Sequence, residues 1–234
     1  MMGDSMNEFE INKMLEFIEK NSSFFSKYER DFILSYIYTG EYSKILFLPD
    51  LVREIVDEFG FLLPEQDIYS GFIELINESF NIKDKNIVEI GGGIFPRIGE
   101  RLSFYPIKSI TVYDPRISPL KMDTDKLKLV RRMVHSNEGD LGCDLLVGFM
   151  PCKGAEVILK HAITYNHDFI IALCEGGPHG DYFDYFETDD EWISSIIRDA
   201  EIGIERNNMG ALKIKNLQKY GDKYPIICND RNGD

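Results

Sequence analysis

Apolar residues recur at helical spacing through the first third of the chain and gather into short continuous runs after it. Ile11, Met14, Leu15, Phe17 and Ile18 form one helical stripe. Residues 28–38 give a second helix. Leu51, Val52, Ile55, Val56 and Phe59 give a third, with Pro49-Asp50 as its start signal. Pro64 opens a fourth helical segment, in which Ile68, Phe72, Ile73, Leu75 and Ile76 recur at the same spacing. The polar string 81–86 separates these helices from the remainder of the chain.

Beyond it the pattern changes. The runs 87–90, 110–113, 127–130, 145–149 and 169–174 are short and apolar, which predicts buried strands. Helical runs cover 154–165 and 191–204. Strand and helix in alternation argue for a parallel sheet covered on both faces. Residues 211–217 and 224–228, joined by 218–223, predict an antiparallel hairpin at the C-terminal end. The expected organisation is a helical region over 1–80, a cap or extension, followed by an α/β domain over 81–234. No internal repeat or low-complexity segment interrupts it.

Composition sets the outer limits. A chain of 234 residues that is 44% hydrophobic accommodates one sizeable α/β core with a helical appendage. No window approaches the ~20 uninterrupted apolar residues of a membrane span, and the acidic, polar N-terminus is unlike a secretory signal. Cys143, Cys152, Cys174 and Cys228 form no close CxxC pair, so a reduced cytoplasmic protein is expected. The net charge of -14 opposes capture of nucleic acid, which depends on cationic side chains displacing counterions. One basic segment stands against this field: Arg116, Lys121, Lys126, Lys128, Arg131 and Arg132. It reads as a solvated face near a sheet edge or as a local site for an anionic substrate.

The candidate chemistry begins where the first strand ends. Glu89 leads into Gly91, Gly92 and Gly93, a turn where backbone can approach a ligand and a following helix can aim its N-terminus. Gly91 and Gly93 fit the first two positions of the dinucleotide fingerprint G-x-G-x-x-G, but Pro96 holds the third. Proline there suits the first turn of a helix. Roughly 20 residues on, the next strand ends in Asp114, which in a dinucleotide or nucleoside fold would be placed to accept from ribose hydroxyls.

Glu89-Ile-Gly91-Gly92-Gly93 followed by Asp114 resembles the first motif and the ribose-binding acidic residue of class I S-adenosylmethionine-dependent methyltransferases. The resemblance covers roughly the last two-thirds of the chain. It implies a Rossmann-like, mostly parallel sheet with a C-terminal antiparallel hairpin, preceded here by the N-terminal helical region. It also implies S-adenosyl-L-methionine as cofactor, held by Glu89, Gly91, Gly92, Gly93, Asp114 and Pro115, and transfer of a methyl group to a small molecule or a polypeptide, with no metal. The family's adenine-contacting residue has no clear match; Ser136, Asn137, Glu138 and Asp140 are candidates by position. In many such enzymes, additions before the first strand cover the active site. A cap is therefore the expectation for the N-terminal helices, beside a homodimer surface.

A second constellation lies at the ends of the fourth and fifth strands. Residues 148–154 and 173–180 bring Cys152, Cys174, Glu175 and His179 towards one another if those strands are neighbours. Three readings compete. The four line the substrate side of a pocket or simply pack; or Cys152, Cys174 and His179 bind zinc; or Pro151-Cys152 resembles the Pro-Cys nucleophile of cytosine-5 RNA methyltransferases, with Cys174 as second cysteine. Those enzymes carry an acidic residue where Met150 stands. A catalytically inactive cofactor-binding or scaffold protein of the same fold is a further alternative. The acidic and aromatic run 182–187 reads as part of a loop shaping the pocket or as an anchor for the next helix. His161 and His167 are expected to be structural or exposed, and Trp192 a core residue.

Overall fold

Three helices carry the N-terminal stripes in the computed structural model, which describes residues 8–40, 42, 50–174, 188–217 and 225–231. The chain divides into two units, Met1–Ile68 and Tyr69–Asp234. In the first, α1 (Glu8–Lys20) buries Met14 and Ile18, one turn apart on a single face. Helix α2 (Lys27–Thr39) buries Ile33 and Ile37 and starts at a reciprocal cap. The Ser26 hydroxyl accepts from the Glu29 amide at 3.1 Å, and the Glu29 carboxylate accepts from the Ser26 amide at 2.8 Å. Helix α3 (Asp50–Glu58) buries Val52, Ile55 and Val56, together with Arg53, a charged residue the apolar stripe does not announce.

The segment opened by Pro64 departs from expectation. Pro64–Gln66 is a single 3-10 turn, and helix α4 (Ile68–Ser79) begins only after it. Gln66 explains the break: its side-chain oxygen accepts from the Leu63 amide at 3.1 Å, while its amide nitrogen donates to the Tyr42 carbonyl at 2.6 Å. Both bonds fix a turn geometry, and Asp67 leaves the helical region at ψ 77°.

The second unit is built on seven strands: β1 (Asn86–Ile90), β2 (Ser109–Tyr113), β3 (Leu127–Val130), β4 (Leu145–Phe149), β5 (Asp168–Ala172), β6 (Ala211–Asn216) and β7 (Pro225–Asp230). Their order is β3-β2-β1-β4-β5-β7-β6. The first five are parallel, and β7 runs antiparallel to both β5 and β6. This is a Rossmann-like α/β sheet closed by an antiparallel hairpin. The hairpin is longer than its apolar pattern, because Asn229 and Asp230 pair with Leu212 and Ala211 beyond the last hydrophobic residue. Buried Asn229 also accepts from the Phe169 amide at 2.8 Å and donates to the Asp168 carboxylate at 2.9 Å, which pins β7 to β5.

Alternation along the strands divides the packing. Val88, Ile90, Leu146, Phe169, Ile171 and Leu173 share a cluster with α6 (Gly154–Tyr165) and α7 (Asp189–Arg206). On the other face Phe149 meets Tyr69 and Phe72 of α4, with ring centroids 5.5 and 5.1 Å away. Val112 lies under Gly99 of α5 (Arg97–Leu102). The crossovers 114–126 and 131–144 hold no helix. The first carries two prolines and no apolar stripe, and Arg131 stitches it down by donating to the carbonyls of Ile117, Ser118 and Lys121 at 3.2, 3.0 and 2.8 Å.

No helix among the described residues is long and apolar enough to cross a membrane.

Candidate functional site

The carboxyl end of β1 is where the sequence places its glycines, and each has a separate cause. Gly91 continues the ladder through its amide, 2.8 Å from the Tyr113 carbonyl, but turns at φ +83°, a left-handed backbone that side chains disfavour. A Cβ there would also sit 2.7 Å from Cβ of Pro151. A Cβ at Gly92 would collide with Val112. Gly93 is again left-handed, at φ +76°. At 91 and 92, then, protein packing requires the glycine.

Asp114 fastens this turn. It is 6% exposed, and its Oδ2 accepts from the Gly93 amide at 3.0 Å while Oδ1 accepts from the Arg116 amide at 2.7 Å. The Arg116 guanidinium stands 3.7 Å from the same Oδ1. Ser118 adds a backbone bond to the Ile94 carbonyl at 2.9 Å, so the segments after β1 and β2 are joined twice. Pro115 lies exposed beside the carboxylate. Glu89 points elsewhere. It is 1% exposed, and a Cβ at Gly99 would lie 2.8 Å from its Oε2. Its carboxyl is enclosed between β1, the turn and α5. Pro96 is the residue before the helix and not its first residue, and α5 begins at Arg97 without a side-chain cap.

The ends of β4 and β5 adjoin the same turn. Pro151 fills the space above Gly91, and Gly154 begins α6 with its amide on the Pro151 carbonyl at 2.8 Å. Both residues flanking Pro151 are left-handed, Met150 and Cys152 each at φ +48°. For residues with a Cβ this conformation costs roughly 1–2 kcal/mol apiece, and nothing in their residue types signals it. The turn brings the exposed Cys152 sulfur to 3.9 Å from that of buried Cys174, at the end of β5. Two of the four acceptor-side candidates are thus neighbours. Glu175 and His179 lie outside the described residues, as does the aromatic run 182–187. Among the described residues no group of three or more metal-ligating side chains gathers.

The loop after β3 carries the candidates for an adenine contact. Arg132 lies over the Tyr113 ring at 4.9 Å and pairs with Glu138 at 2.7 Å, and Glu138 also accepts from the His135 amide at 2.8 Å. The hydrogen bond from Arg132, then that from His135, holds the Glu138 carboxyl below its usual range. Asp140 is lowered likewise, first by the Gly142 amide and then by His167, whose ring nitrogen stands 2.7 Å away. Ser136 and Asn137 are exposed and line a groove of about 760 Å³ with Lys153, Lys160 and Trp192. His161 is buried in α6 with one ring nitrogen on the His135 carbonyl at 3.1 Å, the structural role expected of it. Trp192 is buried, as expected.

The basic segment is largely spent within the fold. Lys121 pairs with Glu100 at 2.8 Å, Lys126 donates to the Tyr105 carbonyl at 2.8 Å, and Arg116, Arg131 and Arg132 have the partners given above. Lys128 is exposed on the edge strand β3.

No family model and no curated protein matches the chain. Among solved structures, it is similar to the methyltransferase domain of a bacterial Hen1, with a TM-score of 0.47 and 11% identity over 70% of this chain and 98% of that one. Human N-acetylserotonin methyltransferase, solved with SAM, gives 0.45 and 12% over 97% of this chain and 68% of that one. A mutant of MtNAS in complex with S-adenosylmethionine gives 0.47 and 15% over 97% and 85%. The fold assignment rests on the chain's own strand order: five parallel strands, a glycine turn after the central β1 and an inserted antiparallel β7 make it a Rossmann-like sheet.

Proposed function

We propose that this chain transfers a methyl group from S-adenosylmethionine to a small molecule or a polypeptide. One observation carries the reading: the glycine turn after β1 is stitched to the acidic end of β2 at the centre of a Rossmann-like sheet. In open parallel sheets, ligands lie beyond the carboxyl ends of the strands. The donor set there suits the cofactor. A carboxylate offers about four lone-pair sites, so Asp114 keeps acceptor capacity for ribose hydroxyls beside the two backbone amides it holds. Gly91, Gly92 and Gly93 supply the backbone it would rest on, Pro115 its flank, and Glu89 supports the turn from beneath.

When bound, the cofactor supplies an electrophilic methyl group on a sulfonium. The chain's part is to hold the acceptor atom in line with that group, and such positioning is worth up to about 7–11 kcal/mol. A proton has to leave only from a neutral acceptor, so a general base is needed for some substrates and not for others. Cys152 and Cys174, with Glu175 and His179 beyond them in sequence, are assigned to the acceptor side of the site. Reduced thiols and an acidic chain fit a cytoplasmic setting.

Calorimetric titration with S-adenosylhomocysteine tests the cofactor. Saturable binding is expected, and folded protein that takes up no ligand at millimolar concentration overturns the reading. A second reading has one observation in its favour, the closeness of Cys152 and Cys174, which two-cysteine cytosine-5 chemistry on RNA would require. Its test is a covalent adduct with 5-fluorocytosine RNA that is lost in Cys152→Ala and Cys174→Ala. The net charge of -14 favours no adduct.

A further inference from the structure

The two sulfurs at the ends of β4 and β5 have a chemistry of their own, whatever the acceptor. Cys174 is held from behind: the Leu173 amide bonds the Pro225 carbonyl at 2.9 Å, which fixes the end of β5 to the hairpin. Cys152 is exposed, sits in the left-handed turn that starts α6, and has Lys153 as its neighbour. That is an accessible setting, and exposure is one of the conditions under which thiols react. Their sulfurs are 3.9 Å apart, while a disulfide needs about 2.05 Å. Closing the difference requires the Cys152 side chain, the exposed one of the two, to rotate. The parallel register, with Phe149 opposite Ala172, keeps both residues just past the ends of adjacent strands.

We propose that Cys152 and Cys174 form a reversible disulfide under hydroperoxide, and that this bond locks the turn 150–154 against the end of β5. The Cys152 thiolate attacks one peroxide oxygen, the sulfur–oxygen bond forms, and the oxygen–oxygen bond breaks to release an alcohol or water. The Cys174 sulfur then attacks the Cys152 sulfur. A disulfide forms, and the hydroxyl departs with the thiol proton as water. Two thiols are oxidised and one hydroperoxide is reduced, and a dithiol returns the pair by two exchanges. The reaction is selective within the chain. Cys143 and Cys228 are buried, and burial pushes the Cys143 thiol up to about 12 and raises that of Cys228, so both stay protonated.

The lock reaches the glycine turn because Pro151 fills the space above Gly91. Its effect on cofactor binding rests on the methyltransferase reading; the bond itself does not. The full chain is treated with hydrogen peroxide, quenched, denatured, alkylated and digested. The expected product is a peptide pair joining Cys152 to Cys174, with Cys143 and Cys228 alkylated and dithiothreitol restoring all four thiols. In Cys174→Ser no internal link forms, and Cys152 is instead captured by dimedone as its sulfenic acid. Oxidation that stops at sulfinic acid on Cys152, or links between separate chains, overturns the proposal. The oxidised and reduced proteins are then titrated with S-adenosylhomocysteine. A difference of about fivefold or more is expected, the lower end of ordinary coupling between sites. The bond with equal affinity in both forms removes the regulatory half. A reduced protein that binds no ligand counts against the methyltransferase reading and leaves the peptide result to decide the pair.

Discussion

Asp114 carries two duties that separate experimentally. Its carboxylate satisfies the Gly93 and Arg116 amides, so Asp114→Ala leaves the buried Gly93 donor without an acceptor and should destabilise the fold by about 1–3 kcal/mol, read from urea melts. Asp114→Asn keeps one acceptor oxygen and should lose less stability. Both should weaken S-adenosylhomocysteine, and an undiminished affinity in the Ala variant would take Asp114 out of the site. At this scale the sequence was legible wherever residue type and geometry are tied. Glycines reported the left-handed turns at 91 and 93, and an acid at a strand end reported a polar anchor. Met150 and Cys152 adopt the same left-handed backbone with no such signal, because the constraint on them is the packing of Pro151 against a residue some sixty positions earlier. Glu89 shows the converse. Its place in the motif is plain, but only the structure reveals that it faces α5 from below the turn.

Elements were readable where a single face is apolar and obscure where polar side chains complete them. The strands of the sheet announce themselves as apolar runs, whereas β7 continues through Asn229 and Asp230 on backbone pairing that hydropathy does not register. The turn at Pro64 was obscured by the opposite effect: the apolar stripe beyond it does form α4, but Gln66 holds residues 64–66 in a separate turn before that helix begins. Phe169, fully buried between β5 and the α6–α7 layer, is a central test: Phe169→Ala should cost about 3–5 kcal/mol in chemical denaturation. At the helical end, Ser26→Ala removes the cap of α2 and should cost about 1 kcal/mol. The loop after β3 should answer to pH. Glu138 and Asp140 are depressed in the folded chain, so their contribution is complete above the ordinary values of 4.5 and 3.8 and is lost as pH falls through the lower native values. The amide resonances of His135 and Gly142, which donate to these carboxylates, should titrate with midpoints below those ordinary values. Midpoints at or above them would contradict the assigned bonds.

At the scale of the whole molecule the chain is acidic, and most of its one basic segment is drawn into internal bonds. With a net charge of -14 and most of the basic segment paired, it should retain no RNA on a filter even at low salt. Measurable retention that falls with added salt would revive the RNA reading. The contact of Pro151 with Gly91 has a consequence for how such a chain changes over generations. The turn that would face the cofactor and the turn that would face the acceptor share one steric volume, so neither is free to drift alone. A lineage that enlarges residue 91 must surrender bulk at 151 and still find a residue tolerant of φ +83°. New acceptors are therefore reached more readily by altering the chain beyond Cys152 than by reshaping the turn before it.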